Sequence, residues 1–188
     1  MRVLLGVTGS VATTLVGKLL IALEEQGHEV QIVTTDSSLY FFDPEDLEVK
    51  VWQDKDEWPG DEYVRNQGIP HIELRNWADL FLVAPVSANT LAKMANGFSN
   101  NLLTCVFRAW NFSKRVIIAP AMNTRMWKSP FTKVHLGQLE ALQAYGLKIT
   151  IVPPVKKTLA CGDTGVGAMA HLDDIVHAVA NYSKSDSA

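Results

Sequence analysis

Cys161 has the least ordinary setting of any reactive side chain in this sequence. It lies in Lys156-Lys157-Thr158-Leu159-Ala160-Cys161-Gly162-Asp163-Thr164-Gly165-Val166-Gly167, a glycine-rich run with a pair of lysines that reads as a mobile flap. A thiol there can act as acid or nucleophile if nearby cations tune it. A lone cysteine is otherwise a small buried apolar residue, and Cys105, inside the helical run 101–110, fits that description. Asn123 lies in Ala119-Pro120-Ala121-Met122-Asn123-Thr124-Arg125-Met126-Trp127. Its amide can meet a carboxylate while Met and Trp wall an apolar ring, or the segment is a loop packed down by its own apolar residues. His71 sits in Gly68-Ile69-Pro70-His71-Ile72-Glu73-Leu74, just before an apolar run, and position alone reads it as structural. His28 follows Gly27 at a turn, while His135, His171 and His177 fall on helical stretches. No His, Cys and carboxylate set has metal spacing, so no metal is expected. No nucleophile elbow or Ser-His-Asp grouping occurs.

Polar clusters recur at other points. Gly6-Val7-Thr8-Gly9-Ser10-Val11-Ala12 would let the backbone approach a ligand and opens a helix whose positive end suits a phosphate. It reads equally as a tight turn with Ser10 as N-cap, and it is not the full G-x-G-x-x-G dinucleotide pattern. Thr34, Thr35, Ser37 and Ser38 either complete a phosphate or ribitol site or solvate a turn. Ser87-Ala88-Asn89-Thr90 again places hydroxyls at a helix start. Their convergence on one rim supports a phosphorylated, polar cofactor.

The elements that would hold these groups alternate. Short apolar runs at residues 3–7, 30–33, 80–84, 116–119 and 148–152 have strand length. Helical spacing follows in Leu15, Leu19, Leu20 and Leu23 with Gly27 as a stop, in Leu91, Ala92 and Met94, and from Ser129-Pro130 towards Gly146. A final helix spans 171–181. Buried strands separated by helices predict an α/β fold: a single flavodoxin-like or Rossmann-like domain with a doubly wound parallel sheet over residues 1–182 and a polar tail at 183–188. In such a sheet ligands bind beyond the carboxyl ends of the strands, where the polar clusters fall. Residues 43–70 are less regular and form an excursion at the surface or an interface.

Composition narrows the function classes. The 188 residues carry a net charge of -3, which gives no basic footprint for nucleic acid or an anionic membrane. No apolar stretch approaches bilayer length, and the N-terminus reads as neither signal nor transit peptide. Two cysteines in unrelated contexts suggest no disulfide framework, so a cytoplasmic setting is expected.

Together these segments resemble the flavin-containing cysteine decarboxylases over roughly residues 2–180. The likeness rests on Gly6 to Ala12, Ser87-Ala88-Asn89-Thr90, Asn101-Leu102-Leu103-Thr104-Cys105, Pro120-Ala121-Met122-Asn123 with Met126-Trp127, and Ala160-Cys161-Gly162-Asp163 with Gly165. The P-A-M-N-x-x-M-W segment marks the cysteine-decarboxylase branch, and the A-C-G-D flap narrows it to the pantothenate pathway. The resemblance implies a flavodoxin-like fold and a homotrimer with FMN at subunit contacts. It implies that Gly9, Ser10, Val11 and Thr35 hold the flavin phosphate and ribitol, with Phe41, Ser87, Ala88, Asn89, Thr90 and Ala121 around the flavin. Asn123 would take the substrate carboxylate beside Met126 and Gly162, His71 would be the acid/base, and Cys161 the final proton donor. The implied reaction is decarboxylation of 4′-phosphopantothenoylcysteine to 4′-phosphopantetheine in coenzyme A biosynthesis, through thiol oxidation, CO2 loss and ene-thiol reduction. The chain departs from the family's usual pattern at Ala12-Thr13-Thr14, where relatives more often carry small residues and a lysine.

Other readings within reach are a non-catalytic relative that binds a protein phosphatase, a peptidyl-cysteine decarboxylase and a flavin prenyltransferase. The first uses long acidic extensions that this sequence lacks. The A-C-G-D flap argues against the second, and the loop and flap together against the third.

Overall fold

The computed structural model describes residues 1–188 except 61, 63, 64, 66, 159–161, 163 and 186–188, with backbone alone at 182–185. The opening run Arg2-Val-Leu-Leu-Gly-Val forms β1 (Arg2–Val7), which is buried beyond its first residue. After a 3-10 turn come α1 (Val16–Glu25) and β2 (Glu29–Thr34). Gly27 adopts φ 75 between them, the left-handed geometry for which glycine lacks the Cβ penalty.

The excursion is more ordered than its sequence suggests. It contains a two-residue strand, β3 (Val51–Trp52), and a single helical turn, α2 (Asp54–Glu57). Next come α3 (Pro70–Trp77), β4 (Leu80–Val86), α4 (Ala88–Asn96) and α5 (Leu102–Arg108). The chain continues through β5 (Arg115–Pro120), α6 (Thr124–Trp127), α7 (Pro130–Ala141) and β6 (Lys148–Ile151). It ends in β7 (Val155–Thr158), β8 (Thr164–Ala168) and α8 (Leu172–Ser185).

The six-stranded sheet has the order β3-β2-β1-β4-β5-β6, and every pair in it is parallel. This is a doubly wound α/β sheet whose strand order reverses between β1 and β4. One apolar layer joins Val3, Leu5 and Val7 to Leu19 and Leu23 of α1 and Ile175 and Val179 of α8. The opposite layer joins Leu4, Phe81 and Val83 to Leu74, Leu91, Met94, Leu103 and Leu139 from α3, α4, α5 and α7. Burial on both faces explains why the strands read as continuous apolar runs rather than alternating ones.

Three expectations need correction. His71 belongs to the first turn of a helix, α3, begun by Pro70 at a position where a missing N–H costs nothing. The flanks of the flap pair as an antiparallel hairpin, β7 with β8, so the segment is not loop throughout. The last helix runs to Ser185, past the expected end at residue 181, while 186–188 of the expected tail lie outside the described residues.

Candidate functional site

The carboxyl ends of β1 and β4 are tied by one buried side chain. Thr8 Oγ1 donates to the Pro85 carbonyl at 2.9 Å and accepts the Ser87 N–H at 2.8 Å. The two rim loops that flank the sheet's reversal point are therefore fixed to each other. Gly9 is equally constrained, because a Cβ there would fall 2.5 Å from Ser37 Oγ. Ser10 then caps the 3-10 turn, its Oγ accepting from Ala12 N–H at 3.4 Å. Ser87 caps α4, accepting from Thr90 N–H at 3.3 Å.

Beside this junction lies a pocket of about 530 Å³, within the size range of small-molecule sites. Gly9, Ser10 and Val11 line it, with Phe41, Ser87, Ala88, Ala121, Asn123 and Met126. These are nine of the expected site residues, brought together from four rim segments. Thr35, Asn89, Thr90, Gly162 and His71 are not among the lining residues. Thr35 is buried and its hydroxyl meets Ser37 Oγ at 3.2 Å. Thr34 and Ser38 pair similarly, so the hydroxyls after β2 bond one another and build a turn that supports Gly9. Thr90 is buried beneath Ser87, and Asn89 faces outward. Gly162 is exposed at φ 87, while Cys161 lies outside the described residues.

The hairpin contributes lining residues that sequence reasoning missed: Thr158, Gly167, Ala168 and Met169, beside Lys157. Gly167 is required by close approach, since a Cβ would stand 2.2 Å from the Met122 carbonyl oxygen. Met122 N–H in turn donates to Gly167 O at 2.9 Å, pinning the Asn123 loop to β8. The spacing of Gly165 and Gly167 was the available signal, for a Cβ on Gly165 would meet Thr124 Oγ1 at 2.5 Å. Asn123 begins α6, its Oδ1 accepting Arg125 N–H at 2.8 Å.

The pocket's chemistry fits a flavin mononucleotide. The glycine turn and the Ser10 and Ser87 hydroxyls form a polar end, and Val11, Leu15, Phe41, Met122, Met126 and Met169 form apolar walls. A phosphate suits the first and a fused ring the second. Among the described residues no group of His, Cys, Asp and Glu could hold a metal. No described helix is long and apolar enough to cross a membrane.

His71 occupies a separate corner. Crossover helices run antiparallel to parallel strands, so the start of α3 lies on the same carboxyl rim. There His71 Nδ1 contacts Glu57 Oε1, and its backbone N–H donates to Glu57 Oε2 at 3.2 Å. At the other end of α3, Lys114 Nζ donates to the carbonyls of Arg75 at 3.0 Å and Asn76 at 3.4 Å, and to that of Ala78. Burial lowers the Lys114 pKa below the usual lysine value despite nearby Asp79. Asp54, one turn before Glu57, accepts Leu102 N–H at 2.8 Å at the start of α5. Burial raises the Asp54 carboxyl pKa. Burial also raises that of the Cys105 thiol, with the Glu57 and Asp54 charges adding to it, which suits an unreactive cysteine.

Comparison with known proteins agrees with this geometry. A family model described as Flavoprotein matches residues 1–184. A phosphopantothenoylcysteine decarboxylase of Arabidopsis thaliana is 50% identical over 171 residues, covering 90% of this chain and 78% of the relative. A solved mutant of PPC decarboxylase, complexed with pantothenoylaminoethenethiol, superimposes with a TM-score of 0.89 at 46% identity. The match covers 97% of this chain and 98% of that one. The FMN-binding protein AtHal3 superimposes with a TM-score of 0.86 at 47% identity, over 98% of this chain and 97% of that one. The chain belongs to the flavoprotein family and, within it, to the phosphopantothenoylcysteine decarboxylases.

Proposed function

We propose that this chain is an FMN-dependent carboxy-lyase that converts 4′-phosphopantothenoylcysteine to 4′-phosphopantetheine in coenzyme A biosynthesis. The observation that carries this reading is the pocket at the β1–β4 reversal, which joins a phosphate-type turn to the Asn123 loop in a member of the decarboxylase family. FMN, when bound, would supply a two-electron oxidation of the substrate thiol side, so that the substrate can accept the bonding pair left behind by CO2, and in its reduced form would give back the two electrons it took.

The protein's own groups bind, orient and move protons. Backbone N–H groups after Gly9, with Ser10, hold the cofactor phosphate. Asn123 orients the substrate carboxylate, and Met126 and Gly162 bound the substrate. His71 exchanges a proton at the ring nitrogen turned away from Glu57. Cys161 protonates the product in the last step. Lys157, on the pocket wall, draws the phosphorylated substrate beneath the hairpin.

The active form is a homotrimer with FMN at subunit contacts. Two observations support this. Val11 and Met126 line the pocket yet stand 53% and 48% exposed, apolar surface that another copy would cover. His71 shares the rim without lining its own chain's pocket, so a contact between copies would complete the site. The reducing cytoplasm is the expected setting, as it keeps the thiol groups of protein and substrate reduced.

The test is a visible spectrum during anaerobic substrate addition, followed by CO2 measurement. Transient bleaching of a yellow protein, with colour returning as turnover completes, and release of CO2 are expected. A protein that stays colourless after incubation with FMN overturns the reading.

A further inference from the structure

The proposed mechanism uses His71 but leaves Glu57 without a part, and Glu57 is an unusual residue to leave idle. It is only 6% exposed, at the end of the single turn α2 in the irregular excursion. A buried carboxylate costs several kcal/mol unless it is paired and hydrogen-bonded. Among the described residues the basic side chain set against it is that of His71. Both carboxylate oxygens point at that one residue, Oε1 at the ring and Oε2 at the backbone N–H.

We infer that Glu57 is the positioning residue of His71: it holds the imidazole as the Nδ1–H tautomer and presents Nε2 as the nitrogen that exchanges protons with substrate. This rests on the acid/base role proposed for His71. An ionised carboxylate only accepts hydrogen bonds, so the ring nitrogen facing it must carry the proton. In the neutral ring the other nitrogen, Nε2, is then bare. The His71 side chain keeps 26% of its surface, so part of the ring remains open to a reacting group. The second contact, to the backbone, fixes the ring's attachment point as well as its far edge. Pro70 starts α3 and the Lys114 contacts tie down its far end. The excursion thereby acquires a purpose. Asp54 fastens α2 to the start of α5, and Glu57 on the same turn meets the start of α3.

A carboxylate that merely caps α3 would account for the Oε2 contact alone. The imidazole tautomer separates the two roles. Nitrogen NMR of ¹⁵N-histidine protein loaded with FMN, with His71 assigned by difference from His71→Asn, reads the tautomer at the high-pH limit where the ring is neutral. The wild type should show protonated Nδ1 and bare Nε2. In Glu57→Gln the amide oxygen would keep the backbone N–H and the amide NH2 would face Nδ1, so the protonated nitrogen should switch to Nε2. Turnover should fall by roughly 10- to 100-fold, the scale on which lost outer-shell partners act, with KM and flavin content nearly unchanged. A wild-type ring protonated at Nε2 overturns the inference by itself, whether or not the variant folds. So does a Glu57→Gln protein with wild-type tautomer and turnover. Full turnover in His71→Asn would instead remove the acid/base role on which the inference stands. A wrong tautomer alongside an inactive His71→Asn removes only the role of Glu57.

Discussion

The rim of this sheet carries two chemical corners built by different means. The pocket corner is assembled from strand ends, where each segment reaches its place because the strand beneath it is locked into a parallel ladder. Its groups meet through backbone proximity: Gly9 against Ser37, Gly167 against the Met122 carbonyl, and Thr8 bridging two loops. The His71 corner is fed by a strand of only two residues, β3, through the single turn α2. It depends on a carboxylate 14 residues earlier in the chain and on a lysine clamp at the far end of an eight-residue helix. The first corner is shaped by close packing around glycines and one uncharged hydroxyl bridge, the second by hydrogen bonds to charged groups. The first should therefore respond to added atoms, and the second to lost charges.

Variants at the two corners should separate these properties. His71→Asn should lower decarboxylation by at least about 100-fold, the usual scale for a lost acid/base group, while absorbance shows flavin retained. Gly9→Val should do the reverse. The new side chain must displace Ser37 and deform the turn, so flavin affinity should drop at least about tenfold, or about 1.4 kcal/mol, by equilibrium titration. Mixing His71→Asn with Asn123→Asp chains under subunit exchange should restore part of the activity if a site draws on two copies; persistent inactivity would break that link. Lys114→Met should cost about 1 kcal/mol in denaturant unfolding and reduce turnover less than His71→Asn does, because it loosens the far end of α3, on which His71 depends, without removing a reacting group.

His28 offers the smallest effect, distant from both corners. Both of its ring nitrogens are buried without hydrogen-bond partners among the described residues, and burial lowers its pKa. The unfolded chain therefore binds its proton first as pH falls. Stability from this group is present above about pH 6.5 and is lost as pH drops below it towards the folded value. His28→Gln should flatten that part of the stability profile in denaturant melts at several pH values.

Much of the pocket corner was legible in sequence because its signals are local. The apolar runs of β1, β2, β4 and β5 reflect their burial, and polar residues follow each within three positions. The His71 corner was not legible. Helix α3 buries only Pro70 and Leu74 fully, so it lacks the apolar stripe that marks longer helices. Strand β3 has two residues, too few for any period to show. Glu57 sits among charges in the sequence, and nothing local says that its partner is His71. Gly165 and Gly167 suggested a loose loop because glycine is read as freedom, yet here they admit neighbours that would collide with a side chain.

The Thr8 bridge has a consequence for how such a crevice can be reshaped. One hydroxyl sets the spacing of the β1 and β4 loops by serving as donor to one and acceptor for the other. Thr8→Val, nearly the same shape, would remove both bonds at once and leave a carbonyl and an amide of the β4 loop in need of new partners. Inhibitors designed against this crevice thus meet two loops tied to each other at the Thr8 end. Room for selectivity lies on the hairpin side, where Lys157 and Thr158 line the same pocket and take no part in the Thr8 bridge.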